Sequence, residues 1–203
     1  MMSLKISCIC PTYDRHSFLK ESIKMFLNQT YQNKELVIID DSPEAFDIDK
    51  HESINYIHIP VNNKLSIGMK RNLAIKHATG DIIAFWDDDD YYHPNRLQHQ
   101  YDFFEKNCIL LFKDTLYYKL PERNLYKASE KKQKELWQFH GLILTSMMFD
   151  KKIWKYFKFK NANIMEDLYF VRSATKVFDY KVIDNPNMFV YIKQPKCTWY
   201  FDF

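Results

Sequence analysis

The stretch Asp81-Ile82-Ile83-Ala84-Phe85-Trp86-Asp87-Asp88-Asp89-Asp90 is an apolar run that ends in four consecutive carboxylates. The short apolar run predicts a buried strand, because strands covered on both faces are continuously hydrophobic. Adjacent carboxylates repel one another by roughly 1 kcal/mol per close pair in water, so the cluster needs a counter-charge. A hard divalent cation such as Mg²⁺ or Mn²⁺ would supply it. A solvated acidic turn is the alternative.

The length, net charge and cysteines of the chain limit its possible fold class, partners and cellular compartment. Its 203 residues suit one α/β domain or two closely packed halves. A net charge of +3 is too small to predict a nucleic-acid partner. The cysteines form no Cys-x-x-Cys pair and the N-terminus lacks a signal-peptide core, which predicts reduced thiols in a cytoplasmic protein. No apolar run approaches the ~20 residues that span a bilayer, so we expect at most peripheral membrane contact.

Strand and helix signals alternate ahead of the acidic stretch. Apolar runs predict three strands, at Leu4–Cys10, Leu36–Ile39 and Ile54–Ile59. Apolar residues at helical spacing predict two helices. The first is Ser17–Thr30, and the residues expected on its apolar face are Phe18, Leu19, Ile23, Phe26 and Leu27. The second is 66–78, closed by Gly80. The alternation predicts a mostly parallel central sheet flanked by helices.

Polar residues stand where three of the predicted strands end: Thr12, Asp40 with Asp41, and Asp87 to Asp90. Ligands of open α/β sheets bind at the carboxyl ends of strands, so we expect these groups to share one crevice. The chain has neither a G-x-G-x-x-G turn nor a Walker loop, which disfavours the ordinary dinucleotide-binding and P-loop classes.

The pattern changes near residue 107. Strand-like runs follow at Cys108–Phe112, Leu116–Leu120 and Leu142–Phe149, with a charged stretch from Lys127 to Glu135. Further on, Glu166 and Asp167 open a predicted helix. Acids are common in a first helical turn because the helix dipole favours them, so this pair has a purely structural explanation as well as a catalytic one.

Four pieces of the chain, in this order, resemble glycosyltransferase family 2: Cys10-Pro11-Thr12-Tyr13, Glu35 to Ser42, Gly68 to Asp90, and Met165-Glu166-Asp167. The resemblance implies an α/β protein of the GT-A fold, with a Rossmann-like, mostly parallel central sheet and a smaller mixed sheet on the acceptor side. It also implies that residues 1–106 form the nucleotide-sugar-binding half of one GT-A domain and residues 107–203 its acceptor-binding half.

The resemblance implies nucleotide contacts for several residues. Three consecutive side chains would line the base: Pro11, Thr12 and Tyr13. Asp40 or Asp41 would accept a hydrogen bond from the N–H edge of the base. Arg71 would also face the nucleotide.

The metal and the base are implied in the same way. Asp87-x-Asp89 matches the family's Asp-x-Asp motif, with Asp89 as the direct ligand of Mn²⁺ or Mg²⁺, Asp87 beside it, and Asp88 near the ribose or diphosphate. Asp167 matches the general base, with Glu166 as second choice. Such a base typically contributes about 10² to 10⁴ in rate.

The activity that the resemblance implies is inverting, metal-dependent transfer of a hexose from a UDP-linked donor to a hydroxyl of a glycan, lipid-linked or protein acceptor. Ser42-Pro43 stands where the family commonly has a Gly-Ser turn, and the chain lacks the Gln-x-x-Arg-Trp signature of processive synthases, which favours single transfers. A catalytically silent nucleotide-sugar-binding module is the alternative. A sugar-phosphate nucleotidyltransferase is disfavoured, because the glycine-rich N-terminal loop of that class is missing.

Overall fold

A computed structural model describes residues 3–60, 64–113, 116–119, 124–127 and 143–193. The strands in chain order are β1 (Ile6–Thr12), β2 (Lys34–Asp40), β3 (Ile54–His58), β4 (Ile82–Phe85), β5 (Tyr91–Tyr92), β6 (Cys108–Phe112), β7 (Leu116–Lys119), β8 (Asn124–Lys127), β9 (Ile143–Asp150), β10 (Asp179–Ile183) and β11 (Phe189–Lys193). The helices are α1 (His16–Leu27), α2 (Ile67–His77), α3 (Arg96–Asp102), α4 (Lys151–Tyr156) and α5 (Glu166–Ala174).

Seven strands form the central sheet, in the order β10-β6-β9-β4-β1-β2-β3. Neighbouring strands are parallel except at β9, which runs antiparallel to both β4 and β6. Six of the seven strands therefore run in one direction, as the alternation of strands and helices predicted. Strands from both sides of residue 106 share this sheet, and the division of roles at that residue stays a prediction.

A second sheet has the order β5-β11-β7-β8. Strands β11 and β7 are parallel, and the other two pairings are antiparallel, so the sheet is mixed as expected. Because β5 directly follows the acidic tetrad, this small sheet starts beside the carboxyl end of β4.

Two apolar cores cover the two faces of the central sheet. Alternate residues of β1 divide between them, with Cys8 and Cys10 in one core and Ile9 in the other. Helices α1 and α3 pack in the core with the cysteines, and α2, α4 and α5 pack in the core with Ile9. Burial on both faces explains why β1, β2 and β4 are so uniformly apolar.

Two details of the predicted helices are wrong. Phe18 and Leu27 fit the helical spacing of α1, but each is 38% exposed, because the buried stripe of α1 is narrower and centres on Leu19, Ile23 and Phe26. Gly80 does not close α2, which ends at His77 with an extended Ala78 after it. A Cβ at Gly80 would lie 2.5 Å from the carbonyl oxygen of Lys5. A glycine is therefore needed at position 80, because the backbone there passes close to the segment that precedes β1.

Other expectations fall partly outside the described residues. The charged stretch from Lys127 to Glu135 is described only at Lys127, in β8. Cys8, Cys10 and Cys108 are buried free thiols, whereas Cys197 is not described. Within the described ranges, no helix combines the length and the apolarity needed to cross a membrane.

Candidate active site

A pocket of about 360 Å³ opens at the carboxyl ends of β1 and β4. Nine of the eleven residues predicted for the site line it: Pro11, Thr12, Tyr13, Arg71, Asp87, Asp88, Asp89, Glu166 and Asp167. They come from the ends of two neighbouring strands, from α2 and from the start of α5. The structure thus brings the acidic tetrad and the Glu-Asp pair, nearly eighty positions apart in the sequence, into one cavity.

The four acids of the tetrad lie in unequal surroundings. Asp87, Asp88 and Asp89 line the pocket, and Asp90 does not. Asp90 is buried, and its Oδ1 accepts a hydrogen bond from the backbone N–H of Ile192 in β11 at 2.9 Å. Burial, with repulsion from Asp89, raises the pKa of Asp90 well above its ordinary value. Asp90 therefore ties the tetrad turn to the small sheet.

Arg15 provides the counter-charge for two of the acids. Its Nη1 donates to Oδ1 of Asp88 at 2.9 Å and to Oδ2 of Asp89 at 2.7 Å. The hydroxyl of Thr12 donates to the other oxygen of Asp88 at 2.6 Å. Even so, burial and the neighbouring Asp88 raise the pKa of Asp89 to about 7, and burial raises that of Asp88.

Arg71 connects the two acidic groups of the pocket. Its Nη1 donates to Oε1 of Glu166 at 2.5 Å, and its Nη2 lies 3.2 Å from Oδ1 of Asp87. The guanidinium is buried and stacks over the ring of Phe85 at 4.0 Å. Arg71 thus reaches from helix α2 to both the end of β4 and the start of α5.

Glu166 and Asp167 stand in the first turn of α5, after Met165 in a left-handed conformation (φ 63°). Both are buried. Burial raises the pKa of Glu166 to about 7 although Arg71 lowers it, and burial raises the pKa of Asp167 as well. Oδ1 of Asp167 accepts the backbone N–H of Leu168 at 2.7 Å. Within the described chain, no side chain hydrogen-bonds the Asp167 carboxylate.

Helix α2 positions the segment that leads to this acidic pair. The backbone N–H of Gly68 donates to the carbonyl of Ala162 at 3.1 Å, and that of Ile67 donates to the side chain of Asn163 at 3.0 Å. A Cβ at Gly68 would overlap the carbonyl oxygen of Lys160. The start of α2 and the approach to α5 are therefore in direct backbone contact.

Asp40 and Asp41 are the two predicted residues that do not line the pocket. Asp40 accepts hydrogen bonds from the hydroxyls of Ser42 and Tyr56, the latter at 2.7 Å. Asp41 forms a buried ion pair with Lys70 and accepts the backbone N–H of Leu65 at 2.5 Å. Both carboxylates are thus engaged within the protein, and the choice between them for contact with a base stays a prediction.

The acids suit a hard divalent cation. Within the ranges that the structure describes, no three His, Cys, Asp or Glu side chains form a ready-made cation site. Mg²⁺ and similar ions commonly need only one or two carboxylates, with substrate phosphates and water completing the shell. Asp87 and Asp89 line the same pocket, so one cation there could contact oxygen atoms of both carboxylates. Asp87 and Asp89 therefore suit a bound divalent cation.

Several lining residues were missed from the sequence, chief among them Arg15, Lys64, Lys70 and Tyr191. Lys70 donates to the carbonyl of Thr12 at 2.7 Å, and Lys64 lies 3.8 Å from the centre of the Tyr13 ring. Arg15 follows the predicted end of β1 by only a few positions, and that location was a usable signal. Lys64 lies just before the matched piece that begins at Gly68, and Lys70 lies within it, whereas Tyr191 lies far from the matched motifs and nothing local marked it.

The model described as Glycosyl transferase family 2 matches residues 7–182 of the chain. An uncharacterized glycosyltransferase of Rickettsia conorii is 37% identical over 132 residues, which cover 62% of this chain and 21% of that protein. An uncharacterized glycosyltransferase of Methanocaldococcus jannaschii is 29% identical over 197 residues, which cover 88% of this chain and 68% of that protein. The chain thus spans about a fifth of the length of the Rickettsia relative.

Two solved structures share the fold. Staphylococcus aureus TarS 1–349 in complex with UDP-GlcNAc has a TM-score of 0.71 and 18% identity, covering 98% of this chain and 62% of that one. The mannosyltransferase PcManGT from Pyrobaculum calidifontis, in complex with GDP-Man and Mn²⁺, has a TM-score of 0.66 and 14% identity, covering 98% of this chain and 59% of that one.

Proposed function

The chain belongs to glycosyl transferase family 2, and we propose on that premise that it moves a hexose from a UDP-linked donor to an acceptor hydroxyl, inverting the anomeric carbon. Its fold is the GT-A fold that the sequence predicted. One observation carries the proposal. Asp87, Asp88 and Asp89 share a single pocket with Glu166 and Asp167, and these come from opposite sides of residue 106.

The nucleotide side of the pocket is assigned to the end of β1. Pro11, Thr12 and Tyr13 line the cavity and would contact the base, as would the more distant Asp40 or Asp41. Asp88, whose hydrogen bonds to Thr12 and Arg15 hold it in place, would lie near the ribose or diphosphate. UDP-GlcNAc in the TarS complex supports a uridine donor, and GDP-Man in PcManGT makes guanosine the competing base.

The metal is assigned to Asp89 with Asp87, which would hold Mn²⁺ or Mg²⁺. A bound cation of this kind stabilises negative charge on the departing diphosphate as a Lewis acid. The Mn²⁺ in the PcManGT complex supports this assignment. Arg71 holds Asp87 in place through its contact at 3.2 Å.

Asp167 is the proposed general base. The carboxylate of Glu166 is occupied by Arg71 at 2.5 Å, whereas Asp167 keeps side-chain oxygen available toward the pocket that it lines. Burial raises the pKa of Asp167, which makes its carboxylate a stronger base than an exposed aspartate. Glu166 would then act through Arg71, holding the start of α5 near the metal side. The acceptor class and the cytoplasmic location stay predictions.

The test compares Asp167→Asn with Glu166→Gln. A thermal-shift screen of UDP- and GDP-sugars with Mn²⁺ first identifies the donor, since a ligand of the native state raises apparent stability. Asp167→Asn should bind that donor nearly as wild type does while transfer falls by about 10² to 10⁴, the usual contribution of a general base. Glu166→Gln should retain more activity. Near-normal turnover by Asp167→Asn would remove Asp167 from the mechanism.

A further inference from the structure

Arg15 is held in place by the ends of two strands. The preceding residue, Asp14, has a left-handed backbone (φ 51°), and its N–H donates to the hydroxyl of Ser42 at 2.7 Å. That hydroxyl donates in turn to the buried Asp40 carboxylate. Left-handed backbone is uncommon outside glycine and persists where the surroundings hold it. The backbone before Arg15 is therefore fixed by contacts with the end of β2.

The guanidinium of Arg15 uses only part of its hydrogen-bonding capacity. Its Nη1 donates to both Asp88 and Asp89, whereas Nε and Nη2 donate to no acceptor within the described chain. The side chain is 35% exposed and lines the pocket. Arginine offers five N–H donors in a planar fork that matches phosphate oxygens in pairs. Arg15 therefore has free donors beside the acids assigned to the metal.

The charges near Arg15 favour joint binding of a cation and an anion. Asp88 and Asp89 carry two negative charges when both are ionised, and the guanidinium of Arg15 offsets one of them at 2.7–2.9 Å. A divalent cation that arrives alone at Asp89 meets repulsion from this guanidinium. A diphosphate that arrives with the cation is attracted by both positive groups, and it offers Arg15 new acceptors when the cation takes over the carboxylate.

We propose that Arg15 is a ligand of the donor's diphosphate and that, before the diphosphate arrives, it neutralises Asp88 and Asp89 in place of the divalent cation. This inference rests on the proposed function, since it takes the pocket to be a nucleotide-sugar site. Arg15 is then a binding residue with two alternating partners, and its presence makes free Mn²⁺ bind weakly and diphosphate with Mn²⁺ bind tightly.

The test uses Arg15→Gln, Arg15→Lys and, as a matched control that removes one positive charge from the exposed face of α1, Lys20→Gln. Binding of Mn²⁺ alone is followed by electron paramagnetic resonance at about pH 8, where carboxylates are ionised. Binding of UDP, GDP and inorganic pyrophosphate with saturating Mn²⁺ is followed by calorimetry. Thermal unfolding of each variant checks that the fold is intact.

Opposite shifts are expected in Arg15→Gln. Free Mn²⁺ should bind roughly tenfold more tightly, and UDP and pyrophosphate with Mn²⁺ roughly tenfold or more weakly, each tenfold step being 1.4 kcal/mol. Arg15→Lys keeps the charge and loses the fork, so its Mn²⁺ affinity should stay near wild type while diphosphate binding weakens. Lys20→Gln should change neither.

Two results would overturn the inference: unchanged or weaker Mn²⁺ binding by Arg15→Gln, or unchanged binding of pyrophosphate with Mn²⁺. Failure of the proposed function looks different. In that case the wild type binds pyrophosphate with Mn²⁺ but neither UDP nor GDP, while the opposite shifts in Arg15→Gln are still observed and support the role of Arg15.

Discussion

Replacing Arg71 by methionine should destabilise the protein strongly, because it removes the cation that the buried Glu166 and the half-buried Asp87 share. The Arg71 and Glu166 side chains are 3% and 6% exposed, and that of Asp87 is 18% exposed. Breaking a buried ion pair from one side typically costs about 3–5 kcal/mol, since it leaves an uncompensated charge. Methionine keeps an unbranched side-chain stem and loses the guanidinium that stacks over Phe85 at 4.0 Å, so the loss is mainly electrostatic.

The cost should depend on pH. Burial already raises the folded-state pKa of Glu166 to about 7, above its ordinary value of 4.5, while Arg71 lowers it. Without Arg71 the folded pKa rises further. A carboxylate with a raised folded pKa loses stability as pH rises from the unfolded value through the folded one. Arg71→Met should therefore be far less stable than wild type at pH 8 and closer to it at pH 5.

The measurement is urea unfolding of Arg71→Met, Glu166→Gln and the double variant, with the exposed Lys76→Met on the same helix as control. A cost of about 3–5 kcal/mol corresponds to a fall in Tm of about 6–20 °C for a chain of this size. The double variant should recover a large part of the loss. Two results would refute the claim that Arg71 compensates the buried charge of Glu166. One is a loss of less than about 1 kcal/mol in the free energy of unfolding of Arg71→Met, and the other is a double variant as unstable as Arg71→Met.

Two further predictions concern the scaffold. Burial raises the pKa of Glu35, but hydrogen bonds from Ser7, Thr79 and Lys5 outweigh this and lower the pKa to about 2. The ionised carboxylate therefore contributes at most about 3 kcal/mol to the free energy of unfolding above pH 4.5, and this contribution is lost as the pH falls toward 2. In Glu35→Gln the free energy of unfolding should fall less steeply between pH 4.5 and 2 than in wild type, and an equally steep fall would contradict this. Gly68→Ala should cost about 1–3 kcal/mol, because the new Cβ meets the fixed carbonyl of Lys160, and should lower transfer by shifting the approach to α5; a fully stable and active variant would refute that contact.

Much of the central sheet could be predicted because its signals are local. The apolar runs that became β1, β2, β4 and β6 are each covered on both faces, and such strands are visible as short hydrophobic stretches. The insertion of antiparallel β9 between β4 and β6 could not be predicted, because it depends on long-range pairing, and β9 pairs with residues of β4 that lie more than sixty positions earlier in the chain. Gly80 was misread as a helix stop for the same reason, since its neighbour is Lys5.

Some features of the site could likewise be predicted from the sequence, and others depend on long-range packing. Asp89 and Asp167 belong to motifs that occur in the order of the family, and the resemblance implied that both serve one reaction. The place of Arg15 just after β1 was a usable signal, but its contacts with Asp88 and Asp89 could not be predicted, because they depend on the left-handed Asp14 and on a hydrogen bond from that residue to Ser42. The pairing of Arg71 with Glu166 joins two motifs that the sequence treated separately, and only the packing of α2 against the approach to α5 brings them together.

The central claim is that Asp89 supports metal-dependent binding of a nucleoside diphosphate, and calorimetry of UDP and GDP with and without Mn²⁺ tests it most directly. Wild type should bind one of them at least about tenfold more tightly with Mn²⁺, a difference of about 1.4 kcal/mol, and Asp89→Asn should lose that difference. Binding that is equally tight without Mn²⁺, in wild type and Asp89→Asn alike, would contradict the account.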